Sequence, residues 1–184
     1  MDERVKQKEF FAVQTLGQRD EQEDSYGICY GFESQNSPIP ACFVLADGMG
    51  GHSGGEVASQ TAIDSVKLVV ESCDVFDDRT LRDSLSAANL NIAECLKVNA
   101  DLEGMGTTLV VLIIIGENAF WVSVGDSPLL SLDYNHELHL LNEDHSMRPV
   151  LDELVATSVL KADSPEYQKK VSQLRSALTG DNIK

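Results

Sequence analysis

The stretch Gly106-Thr107-Thr108-Leu109-Val110-Val111-Leu112-Ile113-Ile114-Ile115 runs through Gly116-Glu117-Asn118 into Ala119-Phe120-Trp121-Val122-Ser123-Val124. Two runs rich in β-branched and aromatic residues flank a short turn, which is the signature of an antiparallel hairpin. Shorter runs at 129–132 and 137–141 follow Gly125-Asp126-Ser127-Pro128 and Asp133-Tyr134-Asn135-His136, extending the pattern to a meander. Upstream, residues 10–15 and 25–32 read as strands. Residues 41–46 read as a buried strand stopping at Asp47-Gly48. Ala58, Ala62, Val66, Val69 and Val70 recur at helical spacing, predicting a helix over 55–72. A second helix begins with Asp78 as cap and carries Leu81, Leu85, Ala88, Ile92 and Leu96 on one stripe. Residues 147–159 and 165–178 complete the helices, the last with Ser164 as cap and Pro165 at its first position. Strands, two helices, strands, then helices make an α+β chain with antiparallel sheet rather than alternating βαβ units.

The composition is that of an ordinary globular chain: 184 residues, 42% hydrophobic and 24% charged. Without repeats or linkers, residues 1–184 are expected to form one domain. Thirty acidic against 14 basic residues give a net charge of −16, which repels nucleic acid and acidic lipid surfaces. Binding a phosphate ester would require cations to reverse the local field. Cys29, Cys42, Cys73 and Cys95 form no C-x-x-C pair and are expected as free thiols. The longest apolar stretch, Leu109 to Ile115, is too short to span a bilayer. No signal core follows Met1-Asp2-Glu3-Arg4, so no membrane association and a reducing cytoplasm are expected.

Three acidic constellations carry the chemistry. Arg19-Asp20-Glu21-Gln22-Glu23-Asp24 lies between the first two strands and lacks the EF-hand spacing. Asp47 stands at the end of a buried strand, ahead of Gly48-Met49-Gly50-Gly51-His52-Ser53-Gly54-Gly55, where glycines let backbone approach a ligand closely. Gly125-Asp126-Ser127 puts another carboxylate at a strand end; taken singly it reads better as a hairpin turn with Asp as a turn residue. No P-loop, dinucleotide fingerprint or H-E-x-x-H motif occurs, and His136-Glu137-Leu138-His139 reads as an exposed hairpin. Gly51-His52-Ser53-Gly54-Gly55 does match G-x-S-x-G, with Asp126 and His145 in hydrolase order. Ser53, however, lies several residues past the strand that should deliver it.

In order along the chain come Gly17-Gln18-Arg19 with Glu23-Asp24, Val44-Leu45-Ala46-Asp47-Gly48-Met49-Gly50-Gly51-His52, and Gly54-Gly55-Glu56-Val57-Ala58. Gly104-Met105-Gly106-Thr107-Thr108, Val124-Gly125-Asp126-Ser127 and Glu143-Asp144-His145-Ser146 follow. On these blocks the chain resembles the metal-dependent protein phosphatases, the type 2C protein serine/threonine phosphatases, in particular their bacterial members. Residues 174–180 look like a further family segment.

The resemblance implies a β-sandwich of two antiparallel sheets flanked by helices, in α-β-β-α layers, with two Mn²⁺ or Mg²⁺ ions and a possible third, weaker one. It implies that Asp47 bridges both ions, that the Gly48 carbonyl binds one, and that Glu23 holds a metal-bound water. Asp24 would stand beside these ligands, Arg19 would grip the substrate phosphate, and Asp126 would help bind the third ion. The implied reaction is direct attack of a metal-bridging hydroxide on phosphoserine or phosphothreonine of a protein substrate, opposite a serine/threonine kinase. Hard oxygen ligands and a forked guanidinium suit that chemistry.

There are departures from the family pattern. The family's later Asp-Gly and Asp-Asn metal blocks and last strands are absent; Asp181-Asn182 comes too early to replace them. Pro128 stands where an arginine is usual. Met49 stands where animal relatives carry a histidine after Asp-Gly, leaving His52 open between a catalytic role and shaping the loop. A non-catalytic module binding a phosphoprotein or kinase on the same fold is the alternative, and a serine hydrolase using Ser53 the third.

Overall fold

The computed structural model describes residues 10–31, 40–51, 53–73 and 76–181. The main sheet contains β1 (Asp24–Tyr30), β2 (Ala41–Met49), β4 (Leu109–Ile115) and β5 (Asn118–Val124), in the order β1-β2-β4-β5. The short β3 (Gly106–Thr107) pairs with the end of β2. All pairings are antiparallel. A second antiparallel sheet consists of β6 (Leu130–Leu132) and β7 (Leu138–Leu140). Two antiparallel sheets flanked by helices agree with the architecture expected from the sequence.

Alternation sorts the strand residues onto two faces. Cys29, Cys42, Val44, Ala46, Leu109, Val111 and Ile113 turn one way and are buried. Against them pack α1 (Gly54–Glu71), through Ala58, Ala62, Ile63, Val66 and Val70, and α2 (Asp78–Val98), through Leu81, Ala88 and Ile92. The opposite face carries Tyr26, Tyr30, Leu45 and Trp121, which are 49%, 54%, 47% and 39% exposed. The core therefore lies on the helix side of the sheet. None of the four cysteines forms a disulfide among the described residues, and Cys29 and Cys42 are buried.

Several local expectations are corrected. Residues 10–15 form no strand; they run along the open sheet face, where the Phe10 ring meets Phe43 edge-on at 5.8 Å. β2 does not stop at Asp47 but continues to Met49. The cap of α2 is Asp77, not Asp78: its carboxylate accepts the backbone N–H of Arg79 and Thr80, and Thr80 Oγ1 accepts from Asp77 N–H. The helix expected over 165–178 is only α4 (Pro165–Lys170), because Leu174 and Leu178 bridge Ser146 and Thr107 instead. The remaining helix, α3 (Arg148–Ala156), is shorter than expected at both ends. His136-Glu137-Leu138-His139 lies in the β6–β7 hairpin, as expected.

Candidate active site

The site gathers where β1 begins and β2 ends, beside the start of α1. Asp24 begins β1 and pairs in register with Asp47 of β2, so their side chains share a face. Like charges directly opposite on neighbouring strands are destabilising unless something offsets them. Crowding of protein around the Asp47 carboxyl, the charges of Asp24 and Asp126 and a hydrogen bond with Asp24 push it up to about 6, against a smaller pull from Arg19. Asp47 nevertheless stays accessible to solvent. Arg19 Nη1 also lies 3.8 Å from Glu23 Oε2.

Gly48 is needed for close approach. Its N–H donates to the Glu23 carbonyl at 3.1 Å, and a Cβ there would collide with the backbone of Glu23 and Gly55. Ser59 Oγ, from α1, donates to the same Glu23 carbonyl at 2.6 Å. Glu23, Gly48 and the N-terminal part of α1 are thereby locked together.

Asp47 and Asp126 line one cavity of about 910 Å³, with Met49, Asn89, Thr108, His145 and the segment 172–179 among its walls. That segment is held by the Thr107–Leu178 pair and by Asn89, whose Oδ1 accepts from Gly180 N–H and whose Nδ2 donates to the Asp181 carbonyl. The structure thus brings Arg19, Glu23, Asp24, Asp47, Gly48 and Asp126 to one end of the sheet. His52 lies outside the described residues. Ser53 sits at the N-cap of α1, outside the lining of the cavity that holds Asp126 and His145, and so gives the hydrolase reading no support. Sequence reasoning assigned no site role to Thr108 or Asn89, and gave His145 one only in the hydrolase alternative. Thr108 and His145 stood inside blocks quoted for the resemblance, but nothing local to them signals a wall of this cavity.

Several hard carboxylate oxygens with Arg19 as the nearby cation form a donor set that fits Mg²⁺ or Mn²⁺. A tighter group among the described residues, Asp133, Glu137 and His139, has ligand atoms all within 4.8 Å of one another. It is a hairpin tip, where Asp133 Oδ1 accepts the N–H of Asn135 and Glu137, and its carboxylate holds the turn. The Asp47 set is more open, as suits ions that retain part of their water.

The model of the protein phosphatase 2C family matches residues 21–179. The serine/threonine phosphatase stp of Listeria monocytogenes is 36% identical over 164 residues, covering 85% of this chain and 61% of that protein. The crystal structure of serine/threonine phosphatase Stp1 from Staphylococcus aureus superposes with a TM-score of 0.72 at 27% identity, covering 91% of this chain and 64% of that one. The catalytic domain of the serine threonine protein phosphatase PstP in complex with two manganese ions gives 0.62 at 29% identity, covering 87% and 68%. This chain therefore spans somewhat less than two thirds of the length of the Listeria and Staphylococcus proteins. With a family match across most of its residues, the chain belongs to the protein phosphatase 2C family.

Proposed function

We propose that this chain carries the site of a metal-dependent protein serine/threonine phosphatase, acting on phosphoserine and phosphothreonine in proteins. The observation that carries the reading is the convergence of Asp24, Asp47 and Asp126, whose mutual repulsion calls for a cation. Asp47, the Gly48 carbonyl and Glu23 would hold two divalent ions, with Asp24 beside them and Asp126 toward a third. PstP, a relative of similar fold, holds two manganese ions. Bound Mn²⁺ or Mg²⁺ supplies positive charge to a phosphate dianion and acidifies water for direct attack on phosphorus, without a phosphoenzyme.

The chain's own residues supply binding and orientation. The Arg19 guanidinium is permanently charged, and its fork matches two phosphate oxygens. It is also exposed enough to meet a substrate. A chain of net charge −16 needs such local cations to admit a phosphoprotein at all. A cytoplasmic location and a serine/threonine kinase pathway as the source of substrate belong to the same proposal.

A second reading is a non-catalytic module that binds a phosphoprotein or a kinase on the same fold. Hydrolysis of p-nitrophenyl phosphate separates the two. Turnover that requires Mn²⁺ and is abolished by Asp47→Ala supports the enzyme. Phosphopeptide binding without turnover supports the module, and turnover that survives chelation overturns the metal-dependent reading.

A further inference from the structure

Resting on the metal-centre reading of the Asp47 site, we propose that Thr108 is a positioning residue. Its hydroxyl, bridged to that of Ser127, fixes Asp126 relative to Asp47 and so sets the spacing of the carboxylates that receive divalent cations.

Thr108 holds Asp47 from below. Its Oγ1 accepts the Asp47 N–H at 3.0 Å, and its own N–H donates to the Asp47 carbonyl at 2.9 Å. Thr107 Oγ1 reaches the same carbonyl at 3.0 Å. Both threonines are essentially buried. The backbone of Asp47 is therefore clamped on its N–H and its carbonyl by residues 60 and 61 positions away.

The second half of the link runs the other way. Thr108 Oγ1 lies 2.7 Å from Ser127 Oγ, a short hydroxyl–hydroxyl bond in a buried setting. Such a bond is electrostatically stronger than the same bond in water. Asp126 lies between residues that are pinned on both sides. Gly125 N–H donates to His145 Nδ1 at 3.2 Å, and the Gly125 carbonyl accepts from His145 N–H at 3.1 Å. On the other side, the Ser127 carbonyl accepts from Asn142 Nδ2 at 3.0 Å.

Gly125 has φ +104, and a Cβ on it would lie 2.5 Å from Thr108 Cγ2. The Asp126 loop thus rests directly on Thr108. The main chain around Asp126 is fixed while its carboxylate stays exposed in the cavity shared with Asp47 and Thr108. The hydroxyl pair is the link by which the Asp126 loop is registered against Asp47. Thr108 touches no reacting atom in this account; it acts through the two carboxylates.

The test is Mn²⁺ binding by titration calorimetry on the full chain, with no turnover involved. Thr108→Val keeps the shape and removes the hydroxyl, Thr108→Ser keeps the hydroxyl, and Ser127→Ala removes the other end. Loss of a group that orients metal ligands typically weakens metal affinity by about 10–100-fold. Thr108→Val and Ser127→Ala should each weaken Mn²⁺ binding by about tenfold or more. The double variant should be no worse than the poorer single one, because one bridge is lost. Thr108→Ser should restore wild-type affinity. If Thr108→Val does not fold, Ser127→Ala alone decides.

Wild-type Mn²⁺ affinity in the folded variants, or losses that add fully in the double variant, would overturn the positioning role while leaving the metal centre standing. Failure of the wild-type chain to bind Mn²⁺ would overturn the metal-centre reading and the positioning role with it.

Discussion

Asp24 and Asp47 stand directly opposite each other across β1 and β2, side chains on the same face, with Asp126 adding a third negative charge. A sheet that sets two carboxylates side by side keeps them at a cost that a bound cation relieves. The cost should be measurable in the metal-free chain. The Asp47 carboxyl titrates near 6 when folded, against 3.8 ordinarily. Between those values the folded state binds more protons than the unfolded one, so stability falls as pH rises from about 4 to about 6. Asp47→Asn should therefore raise the melting temperature of the metal-free chain above pH 6.5 and leave it unchanged at pH 4. Because Asp47 is solvent-accessible, the gain should be no more than about 1 kcal/mol, or roughly 2–4 °C. Thermal melts in chelator across this pH range check it.

Gly125 should not tolerate a side chain. Its φ of +104 and the nearness of Thr108 Cγ2 mean that Gly125→Ala strains the backbone and pushes on a buried threonine. We expect a loss of about 1–3 kcal/mol in urea unfolding.

The one-sided core predicts a sharp contrast between two apolar positions. Ile63 is fully buried under the sheet, and Ile63→Ala should cost about 2–5 kcal/mol. Leu45 lies on the open face, 47% exposed, and Leu45→Ser should cost under about 1 kcal/mol. Equilibrium unfolding of both variants at one pH settles the contrast.

Arg19 should act on substrate rather than on metal. Arg19→Lys replaces a fork with a point charge, so KM for a phosphopeptide should rise about tenfold while Mn²⁺ affinity stays within about twofold. Steady-state kinetics and calorimetry on the same preparation separate the two effects.

What the sequence revealed depended on how local the signal was. The β4–β5 hairpin and α1 are legible because alternation, a Gly-containing turn and helical spacing all act within about a dozen residues. Asp47 and Asp126 are legible because each stands at the end of an apolar run. The segment 171–178 was misread because Leu174 and Leu178 share helical spacing, yet each is claimed by a distant bridge, to Ser146 and Thr107. Residues 10–15 carry strand-like composition but find no ladder partner among the described residues. The Thr108–Ser127 bond joins two unremarkable hydroxyls 19 residues apart, and no composition or period encodes it.

The proposed phosphatase activity stands or falls with divalent metal held at the Asp47 cluster. Release of phosphate from a phosphothreonine peptide, followed in Mn²⁺, in chelator and with Asp47→Asn, tests it most directly. Turnover is expected in Mn²⁺ and should disappear in chelator and in Asp47→Asn. Turnover persisting in chelator or in Asp47→Asn would contradict it, as would Mn²⁺ bound at the site with no phosphate released.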